Sequence, residues 1–154
     1  MSTASQRLSE LGIALPDVPK PVASYVPCVR HGDMLILSGQ IPSVKGEVQF
    51  VGQAGRDQKL EAAQQAARLC AINAIAVGAD AAGGVDNIAK VLKVVVYVAS
   101  HEGFTDQHLV ANGASELLKD VFGEAGRHAR AAVGVATLPL NSTVEIDVTF
   151  LVKT

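Results

Sequence analysis

The sequence predicts an α+β fold, a mixed six-stranded sheet with two helices packed on one face. Three observations lead there. Met34-Leu35-Ile36-Leu37 and Val94-Val95-Val96-Tyr97-Val98 are apolar at consecutive positions, as buried strands are. Two long stretches instead repeat apolar residues at helical spacing. The order along the chain is strand, strand, strand, helix, strand, helix, strand, strand, with no internal repeat.

Residues 1–21 read as an arm. A short helical piece near Arg7 is followed by Gly12, Pro16, Pro19 and Pro21, too many breakers for regular structure. The arm is expected to lie over the domain as a lid or edge cover, without chemistry of its own. Residues 22–154 then form a single domain.

Tyr25-Val26-Pro27-Cys28-Val29-Arg30 predicts a first strand whose proline favours an edge. His31-Gly32-Asp33 turns into a second strand, which Ile41-Pro42-Ser43 breaks. Val48-Gln49-Phe50-Val51 predicts a short third strand.

Asp57 suits the N-cap of a helix over residues 57–77, with Gly78 as its stop. Leu60, Ala63, Ala67, Ala71 and Ala74 form the packing stripe. Residues 90–98 are the strongest strand by β-branched content. Thr105 or Asp106 opens the second helix, with Val110, Ala114, Leu117 and Val121 inward and Gly123 at the end. Gly113 weakens its middle by about 1 kcal/mol relative to Ala. The last two strands lie in residues 129–136 and 144–152.

Two helices cover only one face of such a sheet, yet its strands read as buried on both. A second copy of the chain is the expected cover, so a homo-oligomer follows.

Composition narrows the functions. Net charge is −2, no basic run exists and there are four Phe and two Tyr, which argues against a nucleic-acid surface. No apolar run of ~18 residues or more spans a bilayer, and the N-terminus lacks a signal-peptide pattern. A cytoplasmic protein is expected. Cys28 and Cys70 fit no paired motif and read as reduced, buried small hydrophobes. His101-Glu102 stands where a zinc-protease motif would need a second His at Thr105, and His31, His108 and His128 have no ligand companions. Neither a metal nor a cofactor is expected.

The chemistry concentrates in Arg127-His128-Ala129-Arg130 and Val144-Glu145-Ile146. A guanidinium entering an Ala/Val strand must reach solvent, pair with an acid, or bind an anionic ligand. If residues 131–136 and 144–152 form a hairpin turning near Pro139, Glu145 faces Gly134, ~13 Å along the strand from Arg130. A direct pair is then out of reach in that topology, though another topology could bring them nearer, and Arg130 is otherwise either a surface residue or a clamp for a carboxylate. Glu145 is either a solvated outer residue or, beneath a partner subunit, a desolvated acid/base with an elevated pKa. Tyr25, Ser38 and Asn112 are polar groups at element ends, where caps and turns also place such residues.

Leu37-Ser38-Gly39-Gln40-Ile41-Pro42, the Ala-Gln-Gln-Ala helix, Ala129-Arg130-Ala131-Ala132-Val133, Leu138-Pro139 and Val144-Glu145-Ile146 together resemble the RidA/YjgF group of small deaminases, once described as translation inhibitors or endoribonucleases. The resemblance runs over nearly the whole chain from about Pro21. It implies a chorismate-mutase-like fold and a homotrimer with sites in the clefts between subunits. It also implies hydrolysis of small enamines or imines bearing a carboxylate, such as 2-aminoacrylate and 2-iminopropionate, to a 2-keto acid and ammonia. Arg130 would hold the carboxylate with the Ala132 N–H as a second donor. Glu145 would serve the attacking water, while Tyr25, Ser38 and Asn112 line the pocket. The chain departs from many members at Ala132, where they carry Cys, and at Ala23-Ser24-Tyr25 in place of Gly-Pro-Tyr. The alternative is a module on the same fold that binds a keto acid without turning it over.

Overall fold

The computed structural model describes residues 1–20 and 22–154; Pro21 of the expected arm lies outside them. Three helices are present: α1 (Ala4–Glu10), α2 (Leu60–Ala82) and α3 (Gln107–Phe122). The strands are β1 (Cys28–His31), β2 (Met34–Leu37), β3 (Ser43–Val44), β4 (Glu47–Val48), β5 (Ile88–Ala99), β6 (Ala129–Val135) and β7 (Val144–Val152). The main sheet has five strands in the order β1-β2-β7-β5-β6, not six. Of the expected third strand at 48–51, only Val48 joins a strand, in a separate short hairpin β3–β4, and Val51 makes an isolated antiparallel bridge with Ser142. The hairpin tip, Lys45-Gly46, has positive φ at both residues, which lets so short a turn close.

The last two strands are not a hairpin. β6 runs parallel to β5, with Arg130 opposite Val94 and Gly134 opposite Val98. β7 is inserted between β2 and β5 and is antiparallel to both. Parallel neighbours need a long crossover, and α3 supplies it. The chain between β5 and β6 is long enough for that helix, whereas Leu138–Asn141 makes a tight turn that carries the chain to the other side of β5.

α2 runs from Leu60 to Ala82, so its start and stop differ from those expected. Asp57 instead accepts from the Gln53 N–H at 2.8 Å and pairs with Arg56 at 3.1 Å. The left-handed stop is Gly83, with φ 77°. Gly78 is buried within the helix, where a Cβ would stand 2.6 Å from the Phe150 ring. Close approach, not termination, explains that glycine. α3 opens after Asp106 and closes at Gly123, as expected.

The core lies between the sheet and α2–α3: Leu35, Phe150 and Val91 in one cross-strand row, Val94 and Val148 in the next, Ile146 and Val96 in a third. Ala63, Ala67, Ala71 and Ala74 let α2 approach closely. α1 docks against α3 by burying Leu8, and Ser5 bonds Asp86 through both N–H and hydroxyl at 2.8 and 2.6 Å. The opposite sheet face carries no helix. Val29, Ile36 and Val133 are each more than 40% exposed there, at 52%, 43% and 41%.

Gly113 sits where α2 and α3 touch. A Cβ there would lie 2.1 Å from the Gln64 carbonyl oxygen, a backbone atom that cannot swing aside. Gly113→Ala is therefore expected to destabilise by about 1–3 kcal/mol despite Ala's better helix propensity. Urea unfolding that shows the variant equal to or above wild type would contradict this packing.

Candidate functional site

Arg130 stands at the edge of the sheet, on the face that carries the helices, because it shares a cross-strand row with buried Val94 and Val148. Its side chain reaches α3. Nη1 donates to Asn112 Oδ1 at 2.9 Å and to Ser115 Oγ at 3.2 Å, and Nη2 donates to the His108 carbonyl at 3.3 Å. All three acceptors are uncharged. Among the described residues Arg130 forms no ion pair. Three of the five guanidinium N–H groups are engaged, leaving one on Nε and one on Nη2, the number a bidentate carboxylate requires.

β6 is paired on one side only. The Val135 carbonyl turns inward to accept from Ser100 N–H at 2.8 Å. Backbone groups alternate sides along a strand, so those of Ala132 point to the unpaired edge. The N–H of Ala132 is thus available beside Arg130, and its methyl packs on the core.

Glu145 belongs to a second group. It lies opposite Tyr97, not Gly134, and its half-buried side chain is on the open face of the sheet. Gly39 is so near that a Cβ there would stand 3.0 Å from Glu145 Cδ. Next to it, the Ser38 hydroxyl donates to the Val26 carbonyl, and Ser38 N–H donates to Pro27 at 2.9 Å. These bonds fix the bend that carries exposed Tyr25. Burial, and then repulsion from Asp147, raises the Glu145 carboxyl above its ordinary pKa.

The expected site residues therefore fall into two groups on opposite faces of one sheet: Arg130, Asn112 and Ala132 toward α3, and Glu145 beside the Ser38–Gly39 bend toward the open face, with exposed Tyr25 on the segment bonded to Ser38. The hairpin estimate of their separation does not apply, since β5 lies between β6 and β7. Asn112 has its amide oxygen engaged by Arg130 itself.

Sequence reasoning missed Ser115 and His128. Ser115 is three residues from Asn112 on α3, so the two share a helix face, and that polar pair beside an apolar stripe was the available signal. A hollow of about 270 Å³ is lined by Ser115, His128, Arg130, Lys119 and Arg127. A larger cavity of about 860 Å³ lies under the arm, against Leu69, Ile72 and Asn73 of α2. It touches none of the expected site residues, and its size alone gives no reason to move the chemistry there. Among the described residues no cluster of three or more His, Cys, Asp or Glu side chains is arranged as metal ligands, and no helix is long and apolar enough to cross a membrane.

The sequence profile of a family described as "YjgF/chorismate mutase-like, putative endoribonuclease" matches residues 5–151. The chain belongs to the RidA/YjgF family. Protein TCP17 of Trypanosoma cruzi is 44% identical over 91% of this chain and 88% of its own length. A 2-iminobutanoate/2-iminopropanoate deaminase of Dermatophagoides farinae is 31% identical over 88% of this chain and 91% of its own. In three dimensions, the crystal structure of Atu1372 from Agrobacterium tumefaciens, a protein described as of unknown function, superposes with a TM-score of 0.89. It is 45% identical and covers 99% of this chain and 93% of its own. The YjgF fold thus carries both groups of residues in this family member.

The raised Glu145 pKa has a stability consequence. A carboxyl whose folded pKa exceeds its unfolded value favours folding when protonated, and that contribution is lost as pH rises through the folded pKa. Glu145→Gln should then be at least as stable as wild type at pH 7, its advantage shrinking as pH falls through the carboxylate range. Thermal melts across pH would show it, and a variant less stable than wild type only at neutral pH would contradict the assigned cause.

Proposed function

We propose that this family member hydrolyses small imines and enamines bearing a carboxylate, of the 2-iminopropionate and 2-aminoacrylate type, to the 2-keto acid and ammonia. The observation that carries the reading is the uncompensated guanidinium of Arg130, held by three neutral oxygens and keeping two N–H donors free. A substrate carboxylate supplies the missing charge, with the Ala132 N–H as a further donor. Water adds to the C=N carbon, the nitrogen takes a proton, and the resulting carbinolamine expels ammonia to leave the ketone. Glu145 serves as the group that takes and returns the proton, a role that suits a raised carboxyl pKa. Substrates of this kind decay unaided, so positioning alone gives useful acceleration.

Because Arg130 and Glu145 point to opposite faces of their own sheet, the reading requires two copies of the chain. In the homotrimer that we propose, the edge carrying Arg130 of one copy borders the open face carrying Glu145, Ser38 and Tyr25 of the next. The exposed Val29, Ile36 and Val133 support burial of that face between copies. The sites are then inter-subunit clefts, and we place the protein in the cytoplasm.

A second reading has one observation in its favour: a single protomer holds a carboxylate anchor at Arg130, while Glu145 lies on the opposite face of its sheet. A chain that assembled differently would capture a keto acid without turnover.

With freshly generated 2-iminopropionate, wild-type protein should release ammonia faster than buffer. Arg130→Ala should lose about 10–100-fold in kcat/KM, the worth of one or two charge-assisted hydrogen bonds. Glu145→Gln should lower kcat by about 10²-fold or more. Both should keep the native assembly mass. Mixing the two variants as subunits of one oligomer should restore part of the activity, since one intact cleft can form between them. Wild-type rates equal to buffer would defeat the deaminase, and calorimetric heats for pyruvate that vanish in Arg130→Ala would then select the binding module.

A further inference from the structure

The hydrogen bonds around Arg130 continue past it. His128 Nδ1 lies 2.7 Å from the Gly126 carbonyl oxygen, which can only accept. Nδ1 therefore carries the proton, and in the neutral ring Nε2 is an acceptor. Nε2 stands 2.9 Å from Ser115 Oγ, so the hydroxyl donates to it. The Ser115 oxygen is left with its lone pairs toward Arg130 Nη1, which donates at 3.2 Å. The chain has one direction only, from guanidinium to hydroxyl to imidazole to carbonyl. With the ring neutral, reversing the outer links would require a carbonyl to donate or a guanidinium to accept, and neither can.

We propose that the Ser115–His128 pair is a positioning device for Arg130: the neutral imidazole sets the Ser115 hydroxyl so that its oxygen holds the guanidinium, and ring protonation undoes that setting. The proposal rests on the deaminase reading and deepens it, because it makes the carboxylate anchor depend on the charge of a neighbouring ring. Neither residue is given contact with substrate. Once Nε2 gains a proton it donates to Ser115 Oγ, and the hydroxyl hydrogen must turn elsewhere. Two cations then donate to the two lone pairs of one oxygen and repel each other within a hollow of about 270 Å³, which pushes the guanidinium off its neutral-ring position.

The surroundings favour the neutral ring at physiological pH. Burial lowers the His128 pKa, the Gly126 hydrogen bond acts against this, and the charge of Arg130 lowers it further. The charged groups lining the hollow with the ring are Glu116 and Lys119 on α3, Arg127 on the turn and Arg130 on β6, and Glu124 pairs with Arg127. Cations outnumber acids there, and Glu124 is already engaged by Arg127 at 3.5 Å.

The test combines kinetics with side-chain nitrogen NMR on the assembled protein. Ser115→Ala and His128→Leu should each raise KM for 2-iminopropionate by about two- to tenfold, the worth of one hydrogen bond, with kcat little changed. His128→Gln offers an oxygen acceptor that does not titrate, so it should recover most of the KM loss and remove the acid limb of kcat/KM. In wild type the ring should show the Nδ1–H tautomer at neutral pH, and the Arg130 N–H signals should move at the His128 titration midpoint. In Ser115→Ala those signals should no longer follow it. Arg130 signals indifferent to His128 protonation in wild type, or a His128→Leu protein with unaltered KM and pH profile, would overturn the proposal. If wild type shows no turnover, the deaminase reading fails by itself, while the NMR titration still decides whether the pair governs Arg130.

Discussion

A guanidinium stays charged at any physiological pH, so where Arg130 is held decides where this protomer presents a positive charge without a counter-ion among the described residues. The restraint is made of neutral oxygens only: an amide, a hydroxyl and a backbone carbonyl, all from α3. Had one of them been a carboxylate, the charge would be satisfied and the site closed to ligand. The βαβ crossover makes the arrangement possible, because it lays α3 over β6 and leaves the far edge of β6 unpaired. The same edge exposes the Ala132 N–H, so side chain and backbone present donors together.

The rest of the fold serves that edge. Ala-rich packing of α2 and a glycine at the α2–α3 contact bring the helices close to one another and to the sheet. The alternating burial along β7 then places Ile146 in the core and Glu145 on the face without helices. An acid that is half-buried and repelled by Asp147 sits there with its proton more tightly held than usual. One protomer thus carries two groups of polar residues on opposite faces of its sheet, which the proposed deaminase reading makes the two halves of one cleft. Self-association is, on this reading, part of the catalytic geometry and also the cover for Val29, Ile36 and Val133.

Much of this was legible in the residues. The β-branched run at 90–98 and the stripe ending at Gly123 are strong local signals, and both elements stand where they were expected. The resemblance carried by the Ser38–Pro42 element, Arg130 and Glu145 gave the family. Strand count and pairing were less legible. Nothing local in Val48-Gln49-Phe50-Val51 says that Val48 pairs with the neighbouring Ser43 while Phe50 and Val51 meet Thr143 and Ser142 ahead of β7. Gly78 has the composition of a helix stop, yet a ring from β7 occupies the space its side chain would need.

Local chemistry by itself determined the fold class, the two main helices, the Arg130 and Glu145 candidates and the family, because periodicity, capping and motif spacing are written between near neighbours. Only the tertiary structure decided that β6 pairs with β5 and not β7, that Arg130 and Glu145 face opposite ways, and that Ser115 and His128 stand behind the guanidinium. Those outcomes depend on contacts between segments far apart in the chain, whose choice is set by packing the whole core at once. A two-residue alternation tells which residues share a face; it does not tell which strand will lie alongside.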